Sequence, residues 1–158
     1  MGEITFEDER VNKFLKDIGN GVSAVTKKEK QWLTLMSAII FKDIADHFKK
    51  EEGPDGAWAA WSISYQKHME SIGRGNNQKL QFSGKLRNNF LPTNYKTQKD
   101  GVLWYNNAKT SSGYAYAWGH NEGDGKLPQR EFMWAKDETI EEMSEQTLKF
   151  ITDYGGGE

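Results

Sequence analysis

The order of apolar and polar positions predicts most of the elements. From Phe6 to Ile18, the residues Val11, Phe14, Leu15 and Ile18 recur at the three-and-four spacing of one helical face. Gly19-Asn20-Gly21 is then expected to end this first helix, because glycine tolerates the left-handed turn that a helix end needs. The second helix has the strongest pattern: Trp32, Met36, Ile39, Ile40, Ile44 and Phe48 line one stripe through to Lys50. Thr26 and Glu29 stand at capping-box spacing before it, which predicts about 24 residues and a length of roughly 36 Å. Glu51-Glu52-Gly53-Pro54-Asp55-Gly56 carries three breakers and should stop it.

Beyond that stop the pattern is shorter-ranged. Trp58, Trp61 and Tyr65 suggest an aromatic-anchored loop running into a short helix at about Tyr65 to Ser71. Gly73 to Gln78 reads as a flexible loop, and Ser83 as the cap of a short helix over Gly84 to Asn89. Asn94–Lys99 and Val102–Asn106 read as a hairpin around Asp100-Gly101, a type I′ signal. That register sets Thr97 opposite Trp104 and Lys96 opposite Tyr105. Tyr114 to Trp118 alternates rings with alanines and predicts a third strand, with room for a helix over its alanine face. Ile140, Met143, Thr147 and Ile151 mark a last helix from about Asp137 to Thr152, acidic in its first turn as suits a helix start. Residues 155–158 read as a frayed glycine-rich tail. The expected fold class is α+β: a small antiparallel sheet, the hairpin plus a third strand, packed against the long helix of the N-terminal half and a C-terminal helix. A length of 158 residues and the lack of any linker point to one domain over residues 1–158.

Composition narrows the function classes. The net charge of −2 supplies no global basic field for nucleic acid or an anionic membrane. The absence of cysteine removes disulfides, thiolate nucleophiles and thiolate-held metal, and agrees with a reducing compartment. No apolar run approaches the roughly 20 residues that cross a bilayer, and Met1-Gly2-Glu3-Ile4 leads into acids rather than a secretory signal. The six tryptophans suggest a small core pinned by large anchors, with some rings left for an interface.

Candidate chemistry concentrates in Tyr114–Glu138. His120 lies near Glu122, Asp124 and Glu131, any pair of which could act as general acid and base. No nucleophile or oxyanion hole accompanies them, and Asp124-Gly125 is turn chemistry. His47, His68 and His120 show no metal-ligand spacing. The glycine-rich stretches Gly73–Gly75 and Gly119–Gly125 lack the strand-to-helix context of a phosphate loop. We therefore expect no catalytic, cofactor-binding or metal-ligating residue and no cofactor. A second possibility is a stacking platform for single-stranded nucleic acid made by Trp104, Tyr105, Tyr114, Tyr116 and Trp118, with Arg74, Lys96 and Lys99 for charge. Pro128 is expected to fix the chain after the turn, Arg130 to fork onto a carboxylate or backbone carbonyls, Phe132 to plug the core, and His120 to order the turn by hydrogen bonds or meet a neighbouring subunit.

Three segments in order carry a resemblance. They are FKKEEGPDGAWAAWS (Phe48–Ser62), KLQFSGKLRNNF (Lys79–Phe90), which matches Leu-x-x-[Ser/Thr]-Gly-x-Leu, and the Tyr114–Glu138 stretch. In the last, Tyr116-Ala117, His120-Asn121 and Gly123 resemble Tyr-Ala-x-x-His-Gln-x-Gly, and Leu127–Phe132 resembles Ile-Pro-Ala-Arg-Pro-Phe. The pattern resembles the phage virion morphogenesis family, the tail completion proteins of tailed phages, over roughly Met36 to Ile151. Asn121 stands for Gln, Glu122 for an aromatic and Glu131 for Pro. The resemblance implies a non-enzymatic structural protein of the virion neck, assembled in the host cytoplasm. It would join the tail to the head connector, as a homo-oligomeric and expectedly hexameric ring. Implied partners are further copies, a tail terminator or tail tube protein, a head connector or stopper protein, and DNA passing through the lumen; no membrane is implied. The long helix and the hairpin are the elements expected between subunits, and loops Gly73–Gln78 and Lys109–Gly113 the ones expected to order on assembly. Rival readings are another neck component, a stopper or adaptor, and the single-strand binder.

Overall fold

A computed structural model describes residues 4–5, 8–98 and 101–155. The fold is α+β, as the hydrophobic pattern predicts, with six helices and two small sheets among the described residues. The chain packs as two compact units. One includes Ala45–Asn89 and Asn106–Phe132; the other includes Thr5–Ile44, Phe90–Tyr105 and the segment from Met133.

In the second of these units, helix α1 (Glu9–Thr26) is longer than the sequence predicts. Asp8 starts it by accepting the backbone N–H of Arg10 at 3.0 Å. The helix passes straight through Gly19-Asn20-Gly21. Glycine costs a helix interior about 1 kcal/mol, but here it has a packing purpose. A Cβ on Gly19 would stand 3.3 Å from the Trp32 ring, so the missing side chain lets that indole lie close. The break falls instead at Lys27, in the left-handed region with φ 54°. Thr26 belongs to the end of α1: its hydroxyl donates to the Val22 carbonyl (2.8 Å) and accepts the Lys28 N–H (3.1 Å), in place of the expected capping box with Glu29.

Helix α2 (Glu29–Lys50) buries the whole predicted stripe from Trp32 to Phe48. It packs with the C-terminal helix α6 (Asp137–Tyr154) through polar as well as apolar contacts. The Trp32 indole N–H donates to the Thr147 hydroxyl at 2.9 Å, and that hydroxyl donates to the Met143 carbonyl at 2.7 Å. Asp43, almost fully buried, accepts the Lys136 N–H (2.9 Å) and the Thr139 hydroxyl (2.7 Å). A side chain of α2 thus satisfies the orphan donors at the start of α6, which Lys136 cannot cap itself. Buried Thr139, Met143, Thr147 and Phe150 form the inner face of α6, while the expected Ile140 and Ile151 flank it half-buried. Gly155 bonds to the Ile151 carbonyl; the rest of the predicted tail lies outside the described residues.

The hairpin pairs Tyr95–Gln98 with Gly101–Asn106. Its register differs by two residues from the predicted one: Tyr95 faces Trp104, Lys96 faces Leu103 and Thr97 faces Val102. A two-residue shift keeps every side chain on its face, so the pattern alone could not separate the two. The Lys96 ammonium still reaches the Tyr105 ring, now diagonally, at 4.9 Å. Of the expected Asp100-Gly101 turn, Gly101 belongs to the strand and pairs with Gln98, while Asp100 lies outside the described residues. Val102 and Trp104 point inward, and the Trp104 N–H donates to Ser37 of α2 at 2.6 Å. The two-residue strand Ile4–Thr5 completes a three-stranded order next to Gly101–Asn106.

In the other unit, Glu51 (φ 55°) ends α2 and a minimal hairpin follows, with Glu52 opposite Ala57 and Gly53 opposite Gly56. Ser62 caps α3 (Ile63–Ser71) by accepting the Tyr65 N–H at 3.3 Å, so that helix starts two residues before its predicted place. A left-handed Gly84 precedes the short α4 (Lys85–Asn88), and Ser83 accepts the Lys85 N–H. The predicted third strand over Tyr114–Trp118 is absent. Tyr116–Glu122 is a helix, α5, with Ala117, Gly119 and Asn121 buried. Five alternating residues fit either period, and alanine is the best helix former. The core of this unit is a ring cluster: Phe48 lies 5.5 Å edge-on to Trp58 and 5.1 Å from Phe132.

Thr147→Val keeps the shape of α6 but removes the acceptor of a buried indole N–H. It should cost about 1–3 kcal/mol in denaturant unfolding, with Thr147→Ser close to wild type.

Candidate functional site

Residues 48–62, 79–89 and 114–132 of the three segments that carry the resemblance lie in one unit, and the first segment is bonded to each of the other two. In the first, Trp58 is nearly buried and its indole N–H donates to the Glu131 carbonyl at 2.8 Å. Arg130, 5% exposed, forks onto two successive carbonyls: Nε to Ala59 at 2.9 Å and Nη2 to Ala60 at 3.1 Å. The predicted fork therefore lands on backbone rather than on a carboxylate. The second segment closes on the first through Lys79, whose backbone N–H and ammonium both donate to Glu51, and through Gln81, which donates to the Phe48 carbonyl at 3.2 Å.

Within the third segment, buried Asn121 accepts the Phe132 N–H at 2.9 Å and its amide N–H donates to Glu122. The Arg130 N–H donates to the His120 carbonyl at 2.7 Å. Asp124 closes the turn by accepting the Lys126 and Leu127 N–H groups with one oxygen and the Tyr114 hydroxyl with the other. Gly123 and Gly125 take positive φ on either side of it. Phe132 fills the core, fully buried. His120 acts through its backbone; its ring makes no hydrogen bond among the described residues, and Nδ1 is buried without a partner.

Burial and ion pairing set the charges. Burial pushes the His120 imidazole below its ordinary range, and the Arg130 charge adds to this, with Asp124 opposing. Burial likewise disfavours the charged Arg130, which Glu51 and Tyr65 partly offset. For Glu51, burial pushes up, but the Lys79 bonds and charge outweigh it and hold the carboxyl low. The Tyr114 hydroxyl and the two turn amides hold Asp124 low. Burial, then Glu122 and Asp55, raise Glu131.

A cleft of about 870 Å³ opens beside this corner. Trp61, Tyr65, Phe82, Tyr116, His120 and Arg130 are among its walls. Sequence reasoning did not find it, because its lining comes from short stretches far apart in the chain. Glu122, Asp124 and Glu131 do not line it. No group of three or more metal-ligating side chains occurs among the described residues, and no described helix is long and apolar enough to cross a membrane. The proposed stacking platform loses its centre: Trp104 is fully buried in the sheet, and Tyr116 and Trp118 stand on a helix.

No family model, curated protein or solved structure matches this chain.

The lowered His120 has a consequence for pH. The unfolded chain binds its proton near pH 6.5 and the folded chain only below that, so acidification favours unfolding. Wild type should lose melting temperature between about pH 7.5 and 5.5. His120→Asn should lose less over the same interval in parallel thermal scans.

Proposed function

We propose that the chain is a structural protein of a phage neck, a tail completion protein that joins the tail to the head connector as a ring of like copies. The observation that carries this reading is the bonding of the first family-like segment to both of the others. Trp58, Lys79 and Arg130 lie far apart in sequence, yet each secures another segment of the same corner. Residues that matter to the pattern thus have structural work that explains why they occur together.

The chemistry of the corner supports a scaffold rather than a reaction centre. Nε and Nη2 of Arg130 are held by backbone carbonyls, Asp124 closes a turn, and Glu51 is paired with Lys79. A ring would use head-to-tail contacts, in which two different surfaces of each copy meet. Exposed Leu148 on α6 and exposed Trp118 on α5 offer apolar surface for such contacts. The partners of this reading are a tail terminator or tube protein on one side and a connector or stopper on the other, with DNA passing through.

Electron microscopy of particles made without this chain tests the proposal. Heads and tails should accumulate unjoined, and adding the purified chain should restore joining. Normal joined particles in its absence would overturn it. A monomer of the free chain in solution is compatible with a ring that forms only on the tail.

A further inference from the structure

We propose that the cleft beside the Arg130 corner is a binding site for a nucleotide, a phosphate group joined to a planar base. The first observation is charge. Lys85, Lys109, Lys126 and Arg130 line the cleft, with His120 as a neutral neighbour, and no carboxylate does, in a chain whose overall charge is negative. None of the three lysines forms an ion pair among the described residues. The nearest acids that act on the site are already engaged: Glu51 by Lys79 and Asp124 by Tyr114.

The second observation is Arg130 itself. It is 95% buried, and its Nε and Nη2 are fixed on Ala59 and Ala60 while Nη1 has no hydrogen-bond partner among the described residues. A desolvated guanidinium with a free donor, at the wall of a concave site, is a fixed point for an anion. Three further lysines give more positive charge than one carboxylate would balance, which favours a phosphate group.

The third observation is the opposite character of the remaining wall. Tyr65 and Phe82 leave 41% and 52% of their surface exposed, and Trp61 and Tyr116 are half-buried beside them. Trp61 braces Tyr65 edge-on at 5.4 Å, and the Arg74 guanidinium backs the Phe82 ring at 4.3 Å. Braced, exposed rings next to unpaired cations fit a base stacked beside its phosphate. The volume of about 870 Å³ lies in the range of small-molecule sites, about 300–1,000 Å³. The same chemistry is presented by a free mononucleotide and by an unpaired residue of a single strand. The proposal does not rest on the neck reading.

Calorimetric titration of the full chain with AMP, with inorganic phosphate and with a short oligothymidylate tests it. AMP should bind saturably at low salt, more tightly than inorganic phosphate. The exposed-site double variant Lys109→Ala/Lys126→Ala should keep its circular dichroism and weaken AMP about tenfold or more. Tyr65→Ala should weaken AMP but not inorganic phosphate. Oligothymidylate binding well above AMP identifies a strand as the source; equal binding identifies the free nucleotide. No saturable heat with AMP or oligothymidylate, inorganic phosphate binding as tightly as AMP, or a double variant equal to wild type would overturn the proposal.

Discussion

The corner around Arg130 depends on one constraint: backbone groups of irregular segments must find partners once they are buried. Ala57–Ser62 and Gly123–Lys136 contain almost no regular structure, so no ladder supplies those partners. Side chains do it instead. Arg130 takes the carbonyls of Ala59 and Ala60, Trp58 takes that of Glu131, and Asn121 takes the N–H of Phe132. A hydrogen bond from a charged donor contributes about 1.5–3 kcal/mol. These few contacts therefore decide whether the Phe48–Trp58–Phe132 cluster is held shut.

The same logic operates in the other unit with different groups. Asp43 caps α6 from α2, and Thr147 accepts the Trp32 indole. Both are polar groups on otherwise apolar faces. Each fixes the position of one helix on another more narrowly than apolar packing would, because an unmade buried bond costs more than a poor contact. Both corners thus combine ring anchors with a small number of directed bonds, which suits a chain of modest apolar content.

Legibility in the sequence followed the range of the interaction. The α2 stripe, the breaker after Lys50 and the C-terminal helix are local, and the residues announce them; the Ser62 cap of α3 was missed, and the N-cap of α4 is Gly84 rather than the expected Ser83. The run of α1 through Gly19-Asn20-Gly21 was not legible, because what Gly19 makes room for is the Trp32 ring of another helix. Tyr114–Trp118 misled because five alternating residues satisfy a strand, whereas the continuation to Asn121 and Glu122 makes a helix. The hairpin register was ambiguous by two because both choices bury Val102 and Trp104. At the candidate site, the fork of Arg130 and the burial of Phe132 could be anticipated from residue type. The acceptors on Ala59 and Ala60 could not, since alanines carry no signal, and neither could the cleft, assembled from distant loops.

Amide hydrogen exchange of the Arg130→Met variant tests most directly whether the guanidinium fork holds the corner. The amides of Trp58, Arg130 and Phe132, all hydrogen-bonded in the corner, should exchange at least about tenfold faster than in wild type, as expected for loss of about 1.4 kcal/mol or more. Amides at the centres of α2 and α6 should keep their protection. Unchanged exchange at the three corner amides would contradict the claim that the fork keeps this corner closed.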